Sequence, residues 1–221
     1  MKKNIFITAT NTDIGKTYAT LKLIKQIYKA GLKPGVFKPI ETGVSSVAHD
    51  GSLLLETCSL YNQNFKKIPI EKIVPYRYPL PAAPFCAKEE SKIEINRILE
   101  AYREIEAVCD IVLIEGAGGL MVPIEENFFM IDFIRLFDAK TLLVTSDKLG
   151  CINDTLLSLD MLKRYNADFI WCVNLRDKED FEIKTLPFYK KYFGKVLYLQ
   201  EDIKEIVSLL ITDGNSDRYP S

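Results

Sequence analysis

The run from Asn4 to Ala30 constrains this chain more than any other part of it. A short, mostly apolar, β-rich run, Asn4–Ala9, leads without a spacer into Thr10-Asn11-Thr12-Asp13-Ile14-Gly15-Lys16-Thr17. An amphipathic stretch, Lys16–Ala30, follows, with Gly31 placed to stop a helix. Strand, loop and helix in this order turn successive backbone N–H groups inward and aim the positive helix end at the same point, a ready site for a polyphosphate. In such a loop Lys16 reaches the β- and γ-phosphates, and the Thr17 hydroxyl ligates magnesium. The general pattern GxxxxGK[ST] is met except at its first glycine, where Thr10 stands with Ala9 before it. The plainer alternative is a strand followed by an ordinary helix cap; the strand context and the downstream motifs favour the phosphate site.

The rest of the chain repeats the alternation. Gly35–Lys38, Asp110–Glu115, Thr141–Ser146, Phe169–Asn174 and Val196–Leu199 read as further strands, several of them apolar on both faces as buried parallel strands are. Between them, Ser52–Tyr61, Glu94–Ala107, Met130–Phe137, Ile152–Tyr165 and Ile203–Leu210 read as helices, the second with Ile95, Ile98, Leu99, Tyr102 and Ile105 along one face. The expected fold is α/β: a single P-loop domain over 1–212, its mostly parallel sheet covered by helices on both faces. Pro75–Pro84 is predicted to be an ordered loop or edge strand, and the polar tail 213–221 a frayed, disordered end.

With 221 residues and 48% hydrophobic content the chain can bury a full core. A net charge of -1 gives no general field for nucleic acid or an anionic membrane, so any affinity for anions must be local. No membrane span or signal peptide is expected from the apolar runs. The five cysteines are scattered and odd in number, which reads as free thiols in a reducing cytoplasm. His49 is the single histidine and has no nucleophile beside it, so it reads as a loop residue rather than a base.

Three further places carry chemistry. Lys38-Pro39-Ile40-Glu41-Thr42-Gly43 puts a lysine and a hydroxyl at a strand's carboxyl end, where open α/β sheets bind ligands. Glu115 ends the apolar run Asp110–Glu115 and precedes Gly116-Ala117-Gly118-Gly119; an acid there is costly unless it holds a cation or a hydrogen-bond network. Lys148-Leu149-Gly150-Cys151-Ile152-Asn153 opens a helix whose free N–H groups make a second anion site. Taken singly, a surface lysine before a turn and a plain helix start remain open for the first and third.

In order, these pieces resemble the dethiobiotin synthetase family: TxTxxGKT at Thr10–Thr17, KPxxTG at Lys38–Gly43, an acid before a helix at Asp50, EGAGG at Glu115–Gly119 with Val122-Pro123, and KLGCIN at Lys148–Asn153. Loops of that family carry a small residue one place early, here Ala9, which accounts for Thr10. The resemblance implies an ATP- and Mg2+-dependent ligase that closes the ureido ring of dethiobiotin from 7,8-diaminopelargonic acid and CO2 in biotin biosynthesis. One amine becomes a carbamate, the γ-phosphoryl group passes to it, and the second amine displaces phosphate.

Carried over residue by residue, the resemblance makes Lys16, Lys38 and Thr12 the catalytic set and gives magnesium to Thr17, Asp50 and Glu115. ATP is surrounded by Asp13, Ile14, Gly15, Lys16, Thr17, Tyr18, Glu115 and Gly118, with Asn174 toward adenine. The diamine falls to Thr12, Lys38 and Thr42, and its distant carboxylate to Gly150, Cys151 and Asn153 presented across a homodimer, with the Cys151 backbone N–H as donor. Pro81–Pro84 corresponds loosely to a loop near the substrate. Leu199-Gln200-Glu201-Asp202 lacks the family's Gly/Pro segment over the base, which leaves strict preference for ATP open.

Two other nucleotide-binding classes compete. A partitioning-type P-loop ATPase switch carries a signature lysine where Thr10 stands and has no use for Lys38. A cobyrinic-acid-type amide synthase adds a glutamine-hydrolysing domain, for which one histidine and 221 residues leave no room.

Overall fold

A computed structural model describes residues 4–212; the tail 213–221 expected to be frayed lies outside the described residues. Five strands form the main sheet: β1 (Asn4–Ala9), β2 (Pro34–Phe37), β5 (Ile111–Glu115), β8 (Lys140–Ser146) and β9 (Phe169–Asn174). Their order is β2-β5-β1-β8-β9, and every pairing is parallel. Every residue of β1, β5 and β9 is buried, as it must be when both faces are covered by crossover helices. Starting from β1, the chain winds to β2 and β5 on one side and then to β8 and β9 on the other. The reversal falls at β1, so the crevice of this sheet opens at the carboxyl end of β1.

The covering helices are α1 (Lys16–Lys29), α2 (His49–Tyr61), α5 (Ile95–Glu106), α7 (Cys151–Arg164) and α10 (Ile203–Ile211), with α1 packed against both α2 and α10. On α5 the buried positions Ile98, Ala101, Tyr102 and Ile105 follow the expected stripe. Phe37 of β2 meets Tyr102 and Phe137 edge-on, at 6.0 Å between ring centroids in each case, tying α5 to the sheet. Helix α1 ends at Lys29, and Gly31 takes the left-handed φ of 83° that closes such an end.

Several expectations change. Asp50 and His49 belong to the first turn of α2 rather than to a loop before it, and His49 is exposed. The stretch Met130–Phe137 contracts to the short α6 (Asp132–Leu136). Val196–Leu199 is not a strand: it makes one bridge, Val173 to Tyr198, before the chain turns back so that Asp202 N–H donates to Tyr198 O at 2.8 Å. Two helices went unread, α8 (Lys178–Lys184) and α9 (Leu186–Phe193), because Pro187 interrupts the helical periodicity and is tolerated only as part of the first turn of α9. Pro75–Pro84 contains β4 (Tyr76–Tyr78), paired in parallel with β3 (Ile40–Thr42) as a separate two-stranded ribbon. Pro84 then starts the one-turn α4 (Pro84–Ala87). Among the described residues no helix is long and apolar enough to cross a membrane.

Candidate active site

The phosphate cradle hangs from the carboxyl end of β1, where Thr10 N–H donates to Val144 O at 3.1 Å. Gly15 has φ 113°, a left-handed value that L side chains rarely adopt. It also has no room for a side chain, because a Cβ there would lie 2.3 Å from Nδ2 of Asn174. The loop is clamped from the far side of the sheet. Asn174 Nδ2 donates to Ile14 O at 2.7 Å, and the Arg176 guanidinium donates to Asp13 O at 2.9 Å. Gln200 holds the Asn174 amide by donating from Nε2 to its Oδ1 at 2.7 Å, while Leu175 N–H donates to Gln200 Oε1 at 3.1 Å. Buried Asp147 accepts the N–H groups of Arg176 and Asp177, which fixes the turn that carries Arg176.

Lys16 Nζ folds over the loop and donates to Asn11 O at 3.2 Å. Burial, and next the charge of Lys38, bring its ammonium down to about 8, against the pull of Glu115, Asp50 and Asp13.

Behind the cradle lies Glu115, fully buried at the end of β5. Its Oε1 accepts from the Thr17 hydroxyl at 2.8 Å and from Lys38 Nζ at 2.7 Å; its Oε2 accepts from the Thr20 hydroxyl at 2.7 Å. Lys38 Nζ also sits 3.2 Å from Asp50 Oδ2. Burial opposes the charge on Lys38, but Glu115 and then Asp50 outweigh it and raise the ammonium above its ordinary range. Both carboxylates favour the charged form of Lys38. Nearby, Glu41 accepts the backbone N–H of Asp50 at 3.0 Å and of Gly51 at 2.9 Å. Burial raises its carboxyl above the usual range, against those two N–H groups.

Lys16, Thr17, Lys38, Glu41 and Asp50 line one cleft of about 690 Å³, and Glu115, wholly buried, stands outside its lining and is bonded to Thr17 and Lys38. Of the sequence-predicted residues the cleft brings together Thr12, Asp13, Gly15, Lys16, Thr17, Lys38, Thr42, Asp50 and Gly118, with Pro81–Pro84 as the opposite wall. Ile14 and Asn174 stand just behind the loop, and the Tyr18 ring lies under Lys22 at 5.0 Å, outside the cleft lining. Gly150, Cys151 and Asn153 are not brought in: they form the start of α7. There Cys151 N–H, the expected donor, already donates to Lys148 O at 3.0 Å, and the Cys151 thiol is buried 3.7 Å from the Thr185 hydroxyl.

Glu41, Arg176, Gln200, Asp147 and Thr20 join the site through contacts that no motif in the sequence assigns to them. Glu41, Asp147 and Gln200 left a signal, the two acids inside or beside the Lys38–Gly43 and Lys148–Asn153 runs and Gln200 within Leu199–Asp202.

Among the described residues no group of three or more His, Cys, Asp or Glu side chains forms a metal cluster. The donors present are two carboxylates and one hydroxyl, Asp50, Glu115 and Thr17. This is an oxygen set suited to a hard divalent cation that keeps water and phosphate oxygens as its other ligands. The Lys38 ammonium between the two carboxylates marks the spot as one that holds positive charge.

A parallel sheet with a lysine-bearing loop at its switch point, and a hydroxyl and carboxylate behind that loop, defines a P-loop nucleotide-binding protein. The family model described as an AAA domain matches residues 3–186. Solved structures share the fold at low identity. A plasmid partition protein from Borrelia burgdorferi has TM-score 0.58 at 14% identity, covering 95% of this chain and 98% of that one. A ParA family ATPase from Chlorobium tepidum has TM-score 0.52 at 13%, covering 95% and 92%. Sequence relatives are nearer. The ATP-dependent dethiobiotin synthetase BioD of Sulfurovum sp. (strain NBC37-1) is 53% identical over 191 residues, 86% of this chain and 91% of that protein. The protein of the same name from Wolinella succinogenes is 36% identical, covering 95% and 99%, and that from Helicobacter pylori (strain J99) 35%, covering 94% and 99%. The chain belongs to the ATP-dependent dethiobiotin synthetase family.

Proposed function

We propose that the protein is an ATP-dependent dethiobiotin synthetase of biotin biosynthesis, which joins 7,8-diaminopelargonic acid and CO2 into the ureido ring of dethiobiotin. One observation carries this reading beyond nucleotide binding: Lys38 is held between Glu115 and Asp50 in the same cleft as the cradle lysine, Lys16. A switch ATPase needs only the cradle. A second lysine in the same cleft suits transfer of a phosphoryl group to a second substrate there, because it can offset charge that develops away from the cradle.

An amine of the substrate takes up CO2 and loses a proton to become a carbamate. A carbamate oxygen attacks the γ-phosphorus; the bond to the β,γ-bridging oxygen breaks, and ADP leaves. The second amine attacks the carbamic-phosphoric carbon and gives up a proton; the bond from that carbon to the phosphate oxygen breaks, phosphate leaves carrying the proton, and the ring closes. Lys16 and Lys38 flank the transferred group and offset the charge that develops on its oxygens. Thr12 and Thr42, which line the cleft, position the diamine and its carbamate by their hydroxyls. Thr17, Asp50 and Glu115 would hold Mg2+, which neutralises charge on the β- and γ-phosphate oxygens when bound.

The distant carboxylate of the substrate has no cationic partner of its own in this scheme. We assign it to Gly150 and Asn153 at the start of α7 of a second copy, since in their own chain they stand away from the cleft; the enzyme is then a homodimer. Cys151 contributes by packing, its N–H being spent. Buried Cys58, Cys151 and Cys172 remain free thiols, in keeping with a reducing, cytoplasmic setting.

The test is ring closure itself. Purified protein given diaminopelargonate, bicarbonate and MgATP should release ADP and yield dethiobiotin by mass spectrometry. ATP turnover that ignores the diamine and gives no ring product would overturn the reading.

A further inference from the structure

Glu41 is the middle residue of β3, and its carboxylate is almost closed off from solvent. A carboxylate so placed is costly unless hydrogen bonds compensate it. Its partners are unusual for a strand residue. Oε1 takes the backbone N–H of Asp50 at 3.0 Å, and Oε2 takes that of Gly51 at 2.9 Å.

Those are the second and third residues of α2, two of the donors that every helix start leaves without an intrahelical partner. The residue before the helix normally supplies the acceptor from its own side chain. Here that residue is Ala48, which has none. Glu41 replaces it from another element, with both oxygens at once, and its negative charge suits the positive end of the helix.

The consequence lies one residue away. With its backbone N–H tied to Glu41, Asp50 presents Oδ2 at 3.2 Å from Lys38 Nζ, and Lys38 sits three residues before Glu41. Lys38–Glu41 and Asp50–Gly51 are thus joined twice, side chain to side chain and side chain to backbone. Gly51 completes the fit, since a Cβ there would lie 2.1 Å from Val74 Cγ2 and 3.2 Å from Glu41 Oε2.

We infer that Glu41 is a positioning residue which sets the first turn of α2 so that the Asp50 carboxylate faces the cation site. The inference rests on the reading of Asp50 as a metal ligand. It differs from a purely structural role because Glu41 acts through Asp50, so its effect vanishes when the Asp50 carboxylate is removed.

Mn2+ binding, read by electron paramagnetic resonance with a non-hydrolysable ATP analogue present, tests this in the full chain. Glu41→Ala should weaken Mn2+ binding about tenfold, in the range found for residues that support metal ligands. Glu41→Gln, which keeps one acceptor and the side-chain shape, should weaken it about threefold and serves if the alanine variant does not fold. Affinity for the analogue without divalent metal should stay within about twofold of the parent value, since Glu41 makes no bond to the cradle. The double variant Glu41→Ala/Asp50→Asn should bind Mn2+ no more weakly than Asp50→Asn alone. The inference is overturned if Asp50→Asn weakens Mn2+ binding while both Glu41 variants leave it unchanged, or if the losses multiply in the double variant. Should Asp50→Asn itself leave Mn2+ binding intact, the ligand assignment fails, and the positioning role with it.

Discussion

Lys38 Nζ lies 2.7 Å from Glu115 Oε1, with the ammonium side chain 3% exposed and the carboxylate wholly buried. Nothing in water can substitute for either partner. The bond ties the segment after β2 to the end of β5, the adjacent strand, and holds Lys38 in the same cleft as Lys16.

Lys38→Ala removes that charge and leaves a buried carboxylate with two hydroxyl donors. The expected outcome is loss of dethiobiotin formation by roughly a thousandfold, as for loss of a group that stabilises transition-state charge. Binding of ATP, measured by calorimetry, should persist. Breaking a buried pair by removing one partner costs roughly 3–5 kcal/mol, so thermal unfolding should shift down clearly. Loss of ATP binding in a folded variant would show that Lys38 belongs to the cradle instead.

Lys16 gives a pH signature to nucleotide binding. Its ammonium titrates at about 8 in the free protein, against an ordinary 10.5. Bound phosphates favour the charged form and return the value upward. Binding should therefore take up a proton between pH 8 and 10.5, and affinity should fall as pH rises through that window. Below about pH 7 uptake should vanish. Calorimetry in buffers of different ionisation enthalpy measures the uptake directly. In Lys38→Ala the window should begin at higher pH, because the Lys38 charge is the second cause of the lowered value.

Gln200 should control base preference. The Asn174 amide gives one proton to Ile14 O and receives one bond from Gln200. A second amide proton and a second lone pair remain, the pair that matches N7 and N6 of adenine. Gln200→Ala lets the amide flip, so the preference for ATP over GTP should drop about tenfold, the worth of one such bond of ~1.4 kcal/mol. Competition binding of the two nucleotides reads it. An unchanged ratio would mean that Asn174 does not face the base.

Gly51→Ala pits two effects against each other. Alanine in a helix gains about 1 kcal/mol over glycine. Its Cβ, however, would meet Val74 Cγ2 at 2.1 Å, and overpacking of that kind costs roughly 1–3 kcal/mol. The clash should win, lowering the unfolding midpoint; a rise would show that Val74 can move aside.

How much of this was legible beforehand follows the reach of each signal along the chain. The cradle, Lys38 and Glu115 could be placed because each is a strand-end residue within a contiguous run, and alternating apolar segments announce where strands end. The helices α8 and α9 were hidden by Pro187, and Val196–Leu199 has strand composition yet bridges β9 at only one residue. Composition does not say when a chain will turn away from a sheet edge.

The P-loop, the parallel α/β architecture and the residue types facing phosphate are written in neighbours a few positions apart, and so can be read along the chain. What fixes them in place emerges from the folded chain: Glu41 under the start of α2, Asn174 and Gln200 behind Ile14, and Asp147 under Arg176. Except for Glu41 and Asp50, which are nine residues apart, these partners are separated by 26 to 160 residues. They meet because a parallel sheet gathers the carboxyl ends of all its strands, and the loops that leave them, along one edge.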